Sequence, residues 1–416
     1  MNTPFDSAAK WLTPRRIRAH AIMLALCLWS VCAIDYATPG LFDRAGNIKF
    51  QDFLPFYISA QMIVQGHTAD LYNQQTQAEQ VQAIVGRPTS VRVPYLYGPQ
   101  VALIFTPFMR FSFPTAARVW VALNLFLFAI CIYLIWKRCP NLSPYPGTVA
   151  LGAVAFPALF HFFVRGQNSV LLLACFAVAY LAFRIQREWL AGFVLGLLIF
   201  KPQFLVAVPF VLLLARAWKP LLALILSASA QLAFACVYFG ASTMNSYFDL
   251  LLHPSHWLGT AELPLSAVQM HSLRAFSILL IPWPQAAFAF YAVTAVAAII
   301  LASRVWTRSP SLALRFSALS FAAVLVNPHL FIYDLLVLAP AILVLADWIS
   351  INTQAVFRLL LYLSVILPLF GPLSRWTHLQ LSVLAFAALL FCLWRNCTQP
   401  AATSSHKLAP TESRVV

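Results

Sequence analysis

Asp52 lies in the stretch Phe50-Gln-Asp-Phe-Leu-Pro-Phe-Tyr57, among Phe50, Phe53, Phe56 and Tyr57. A carboxylate held between aromatic rings at a membrane surface loses part of its hydration. That loss raises its pKa toward the range useful to a general base. The position also suits an N-cap on the helix that follows, and spacing alone leaves both roles open. The chain holds only 12 Asp and Glu in all, so any carboxylate in such a setting is a candidate for acid–base work.

The candidate cations are placed as pointedly. Lys201 precedes Pro202 inside an apolar run; a cation near membrane depth is costly and suggests an anionic partner such as phosphate. Snorkelling to the interface is the other reading. Arg165 is followed by Gly166, Gln167 and Asn168 at a helix start, where free backbone N–H groups suit an anion; a plain turn between two helices also fits. His271 and Arg274 are one helical turn apart and suit a phosphate clamp. His329 follows Asn327-Pro328 and could relay a proton or bind a sugar hydroxyl or phosphate, or simply be capped. Tyr333 is one turn on, on the same face, with Asp334 beside it. A histidine pair plus a carboxylate can bind a metal, but no Asp-Asp or Asp-x-Asp pair occurs. No cofactor is assigned and a metal is left open.

These groups must be positioned by a chain whose solvent is lipid. Of its 416 residues 61% are apolar and 9% charged, against roughly 25% charged in a soluble domain. Apolar runs of about 17 to 22 residues match a ~30 Å hydrocarbon core at 1.5 Å per helical residue. The runs are continuous, unlike the alternating strands of a β-barrel. A net charge of +15 does not imply nucleic acid, because Lys and Arg punctuate the ends of apolar runs, the positive-inside pattern. The 8 cysteines show no Cys-x-x-Cys or metal spacing and read as small buried hydrophobes without disulfides.

The expected fold is an all-α polytopic membrane bundle of about twelve crossings, with short interfacial helices in its outer loops. Residues 1–16 form a cytoplasmic tail, 17–395 a single membrane domain, and 396–416 a disordered cytoplasmic tail. The first helix reads as uncleaved. Outer loops cover 36–97 and 241–284, and the first carries interfacial helices over 52–66 and 74–85. Residues 98–113 are read as re-entrant, which keeps Lys137, Arg138, Arg184 and Arg187 inside. Residues 147–164 read as one helix, 189–215 as two half-helices broken at Lys201-Pro202, and 221–240 as an outward crossing. This parity gathers Asp52, Pro99, Arg165–Asn168, Lys201, His271 and Asn327–His329 at one water–lipid boundary, as the lining of one cavity.

Taken in order, several stretches resemble glycosyltransferase family 87, of the GT-C class. They are Asp52-Phe-x-x-Phe-Tyr-x-x-Ala60, Gly66 with Leu71-Tyr72, Tyr97-x-Pro99 with Pro107, and Gly166-Gln167-x-Ser169. Ala191-Gly192-x-x-x-Gly196-x-x-x-x-Lys201-Pro202, His271-Ser272-Leu273 and Asn327-Pro328-His329 complete the set. The resemblance implies a GT-C-like bundle and a donor that is a polyprenyl-phosphate sugar, with mannose the best-known case. It implies a glycan or glycolipid acceptor in the cell envelope and a site on the outer face of the inner (plasma) membrane. It assigns Asp52 as the base and His329 as its helper. Lys201, Arg165 and Arg274 are then the cations for the donor phosphate. Tyr57, Tyr97, Gln167, Asn168, His271 and Tyr333 become substrate contacts. A transporter or flippase of polysaccharide precursors is the alternative, and a non-enzymatic assembly factor a third reading. A transporter is expected to show internal repeats and deep ionisable groups in several helices, and no clear repeat is present.

Overall fold

The computed structural model describes residues 10–86, 94–253, 267–352 and 354–398. The expected disordered tail beyond Thr398, and the part of the second polar loop that holds His256 and Glu262, lie outside the described residues. Regular structure among the described residues is helical, with only isolated bridges Phe42–Ile48 and Met270–Phe331 besides. A helix satisfies its own backbone groups, which lipid cannot do.

Helix α1 (Pro14–Tyr36) starts at Thr13, whose hydroxyl accepts from the Arg16 N–H. The first polar loop carries a 3₁₀ turn, Gln51–Phe53, then α2 (Leu54–Val64) and α3 (Gln74–Val85). Asn73 caps α3 by accepting from the Gln75 and Thr76 N–H groups, and Gly86 ends it at φ 73°,. The stretch after Gly98 is a short helix, Pro99–Ala102, and a 3₁₀ helix, Leu103–Arg110. At 1.5 and 2.0 Å per residue these reach roughly 22 Å, short of the hydrocarbon thickness. Helix α4 (Phe113–Trp136) follows.

Two expected elements come out differently. The single helix over 147–164 is two, α5 (Pro146–Val154) and α6 (Pro157–Arg165), bent by 52°. Pro157 offers no N–H and holds Phe156 extended at φ −70°, ψ 117°,. The helix expected to stop at Gly240 runs on: α10 spans Trp218–Leu252, with Gly240 at φ 80°, ψ 169° as a kink. Beyond the kink the chain is held to the first polar loop. Thr243 Oγ1 donates to the Thr68 carbonyl at 3.2 Å, and the Tyr247 and Tyr72 rings lie 5.9 Å apart.

Between these come α7 (Ser169–Arg184), α8 (Glu188–Gly196), 3₁₀ turns Leu197–Phe200 and Pro202–Leu205, and α9 (Val208–Leu214). The break falls at Lys201, at φ −126°, ψ 76°. Then follow α11 (Leu273–Leu280), α12 (Pro284–Arg308), α13 (Leu312–Val326), the 3₁₀ turn Ile332–Leu338, α14 (Ala339–Ile351), α15 (Ala355–Ile366) and α16 (Leu381–Thr398). Among the described residues six helices are long and apolar enough to cross a membrane, or seven if α5 and α6 make one broken span. The expected count of about twelve is reached only by adding the apolar helices of 10–17 residues, such as α7 and α13.

The core centres on α7 and α13, which are buried on nearly every face. Helix α8 approaches α10 through glycines. A Cβ at Gly192 would sit 2.1 Å from the Pro220 carbonyl oxygen, and one at Gly196 2.4 Å from that of Leu224. Lipid tails supply no hydrophobic drive between helices, so backbone approach through small residues is what dispersion contacts require.

Candidate active site

Asp52 is set by its loop and by the turn that covers it. Phe50 takes the left-handed conformation, φ 57°, and starts the 3₁₀ turn Gln51–Phe53. Phe53 is buried and lies 6.1 Å from both the Phe113 and Trp120 rings, nearly parallel to each. The turn joining α6 to α7 sits on top. Gly166, at φ 72°, has the Cβ atoms of Phe50 and Phe53 at 3.1 Å from where its own Cβ would stand, so any other residue there is strained in its backbone and crowded by both side chains. This contact puts Arg165 Nη1 at 3.6 Å from Asp52 Oδ1. It also lets Gln167 Nε2 donate to Asp52 Oδ2 at 3.0 Å. Gln167 is fixed at its other polar atoms. Its Oε1 accepts from the Asn168 N–H at 3.2 Å, and its carbonyl accepts from Trp120 Nε1 at 3.3 Å.

Neither the 3₁₀ turn nor α2 has a side-chain cap, so Asp52 faces Gln167 and Arg165 instead of capping the following helix. Burial pushes its carboxyl above the usual carboxylate range, while Arg165 and the Gln167 amide pull it back,. The Asp52 side chain keeps 17% of its surface and Arg165 42%, so both are open to a ligand.

Lys201 has a different setting from a phosphate-facing tip. Its side chain and that of Asp334 are 2% and 3% exposed, with Nζ 2.7 Å from Asp334 Oδ1. Ser169 Oγ donates to the same oxygen at 2.7 Å. The Tyr97 and Tyr333 rings flank the ammonium at 5.7 Å each. Asp334 and Ser169 are the partners that spacing did not reveal. The available signal was energetic: a cation inside an apolar run needs a nearby anion, and Asp334 stands in another apolar run.

The remaining candidates divide between this cluster and its flanks. Asn168 is fully buried beside the Tyr97 phenol; neither of its amide atoms meets hydrogen-bond geometry. Burial also pushes the Tyr97 hydroxyl well above its ordinary pKa. His329 sits in a turn closed by its N–H on Asn327 Oδ1 at 2.8 Å. Burial, together with Arg274 and Lys201 and against Asp334, lowers its ring to about 4, so it is neutral near pH 7. Arg274 Nη1 reaches the Pro328 carbonyl at 3.5 Å. The two loops meet as a bridge, with the His271 N–H on the Leu330 carbonyl at 2.9 Å. The His271 ring, however, turns to Ser382 Oγ at 2.8 Å, and burial lowers it to about 3. The Tyr57 hydroxyl donates to the Phe111 carbonyl at 2.9 Å, at the edge of the aromatic cluster. Among the described residues no three His, Cys, Asp or Glu gather as metal ligands.

A partly open carboxylate beside a guanidinium is suited to taking a proton from a hydroxyl. Residues 95–328 match the model of glycosyltransferase family 87. The chain belongs to glycosyltransferase family 87. It is therefore a membrane glycosyltransferase, using a sugar donor and an acceptor. The family 87 match contains Tyr97, Arg165, Gln167, Asn168, Lys201, His271 and Arg274, whereas Asp52, His329 and Tyr333 lie beyond its ends. No curated protein and no solved structure matches the chain.

Proposed function

We propose that this family 87 enzyme moves a hexose, in the first instance mannose, from a polyprenyl-phosphate carrier to a hydroxyl of an envelope glycan or glycolipid. The reaction takes place at the outer face of the inner (plasma) membrane, with both ends of the chain cytoplasmic. The observation that carries this reading is the Asp52 carboxylate, partly open and held by Gln167 at 3.0 Å and Arg165 at 3.6 Å.

In the proposed reaction the acceptor oxygen attacks the anomeric carbon and gives its proton to Asp52. The bond from that carbon to the phosphate oxygen breaks, and the phosphate leaves with the electron pair. A single displacement from the face opposite the phosphate inverts the anomeric centre. Charge grows on the departing phosphate, so cations near it stabilise the transition state more than the ground state. Arg274, beside the His329 loop, and the exposed side of Arg165 are the cations open to it. Neutral His329 and the Tyr97 and Tyr333 phenols can hydrogen-bond sugar hydroxyls or phosphate oxygens.

The test is transfer of radiolabelled mannose from polyprenyl-phosphate-mannose in membranes holding the wild type or Asp52→Asn at equal levels. Loss of a general base typically costs about 10²–10⁴-fold, so label moves with the wild type and falls by that factor in the variant. Equal transfer by both would remove Asp52 from the chemistry and turn attention to Asp35 or Asp334. Transfer by neither would overturn the mannosyl donor, and glucose and arabinose carriers would be tried next.

A further inference from the structure

We propose that Lys201, Asp334 and Ser169 form a sealed positioning triad that holds Gln167, and through it the Asp52 carboxylate, in place for transfer. Lys201 is then a positioning residue, not a ligand of the donor phosphate. The inference rests on the reading of Asp52 as the base.

The geometry leaves Lys201 little to offer a ligand. Its ammonium contacts Asp334 Oδ1 at 2.7 Å and Ser169 Oγ at 3.3 Å, and aromatic rings lie on two further sides. With its side chain 2% exposed, the ammonium presents almost no free surface to a phosphate. The triad does tie together segments distant in the chain: the break at Lys201, the first residue of α7, and the turn Ile332–Leu338 that carries Asp334. Ser169 follows Asn168, and Asn168 follows Gln167. A fixed Ser169 thus fixes the backbone from which Gln167 reaches Asp52 at 3.0 Å. A buried ion pair is weak evidence for added stability, but removing one partner leaves the other charge buried and uncompensated, so each corner of the triad depends on the others. A shift of about 1 Å in a catalytic group costs on the order of 10²-fold in rate.

The charged and titratable groups around Asp52 are Arg165, Lys201 and Asp334, with the phenols of Tyr97 and Tyr333. Ser169→Ala changes none of these charges, so it isolates position from electrostatics. Lys201→Met and Asp334→Asn open the triad from its other corners, and Lys201→Arg keeps the charge.

The experiment measures kcat and donor KM on purified full-length protein with polyprenyl-phosphate-mannose, each value scaled to folded protein by gel filtration. Carbodiimide labelling of Asp52, located by mass spectrometry across pH, is the readout independent of turnover. Ser169→Ala, Asp334→Asn and Lys201→Met are each expected to lower kcat about ten- to a hundredfold while donor KM stays within about twofold. Lys201→Arg recovers part of that loss. In Ser169→Ala the labelling of Asp52 shifts to higher pH, because the hydrogen bond that favours its anion is loosened.

A rise in donor KM for Lys201→Met alone, with Ser169→Ala and Asp334→Asn unaffected, would return Lys201 to the phosphate and overturn the triad. Unshifted Asp52 labelling in Ser169→Ala would overturn it too. If Lys201→Met does not accumulate, Ser169→Ala carries the test, since it removes one hydroxyl. If the wild type moves no mannose, the donor reading fails, and the labelling shift still decides whether the triad positions Asp52.

Discussion

At the scale of single residues, Arg165 tunes the charge state of Asp52. Asp52 accepts a proton only as the anion, so activity is lost as pH falls through its pKa. Burial raises that pKa and Arg165 opposes the rise. Arg165→Gln removes the opposition, so the folded-state pKa climbs and the acid limb of the kcat profile moves to higher pH. The pH dependence of mannose transfer checks this, and a limb that moves down or stays would separate Arg165 from the base. His329, neutral above about 4, adds no second limb near its ordinary value of ~6.5. Asp52 was legible because a carboxylate among phenylalanines is unusual in the sequence itself. The pairing of Lys201 was not, because its partner lies 133 residues away and spacing carries no information at that range. His271 shows the reverse case. Its spacing to Arg274 suggests a clamp, yet the ring turns to Ser382 on another helix.

At the scale of elements, local chemistry foretold starts and breaks better than continuations. The capped helix over 74–85 and the break at Lys201-Pro202 follow from Asn73, Gly86 and Pro202, each of which acts within one turn,. The bend at Pro157 was equally local but was masked by apolarity on both sides of it. The continuation of α10 past Gly240 depends on contacts with Thr68 and Tyr72, which only the fold brings together. The glycines of α8 give a test at this scale. Gly196→Leu drives a side chain into the Leu224 carbonyl and Ser227 of α10. Overpacking of this kind costs about 1–3 kcal/mol, so the thermal midpoint of the detergent-solubilised protein falls. Gly152→Leu, where nothing lies within 4 Å, leaves the midpoint close to wild type. Equal midpoints for the two variants would mean that α8 and α10 do not rely on the close approach.

At the scale of the whole molecule, the distribution of Lys and Arg is the only sequence signal that orients the chain, and it acts through the membrane and not through any contact. The positive-inside pattern predicts the Asp52 loop and α3 on the outer side, and the loop after α4 on the inner side with Lys137 and Arg138. Orientation is therefore a prediction to be read chemically. Ala78→Cys stands on the exposed face of α3, and Ser143→Cys on an exposed position of the loop after α4. In intact cells a membrane-impermeant maleimide is expected to label Ala78→Cys at once and Ser143→Cys only after permeabilisation, each compared with the parent chain and its own 8 cysteines. The reverse pattern would put Asp52 on the cytoplasmic side. A donor presented at the outer face would then never meet its base, and a sugar carrier facing the cytoplasm would have to take its place.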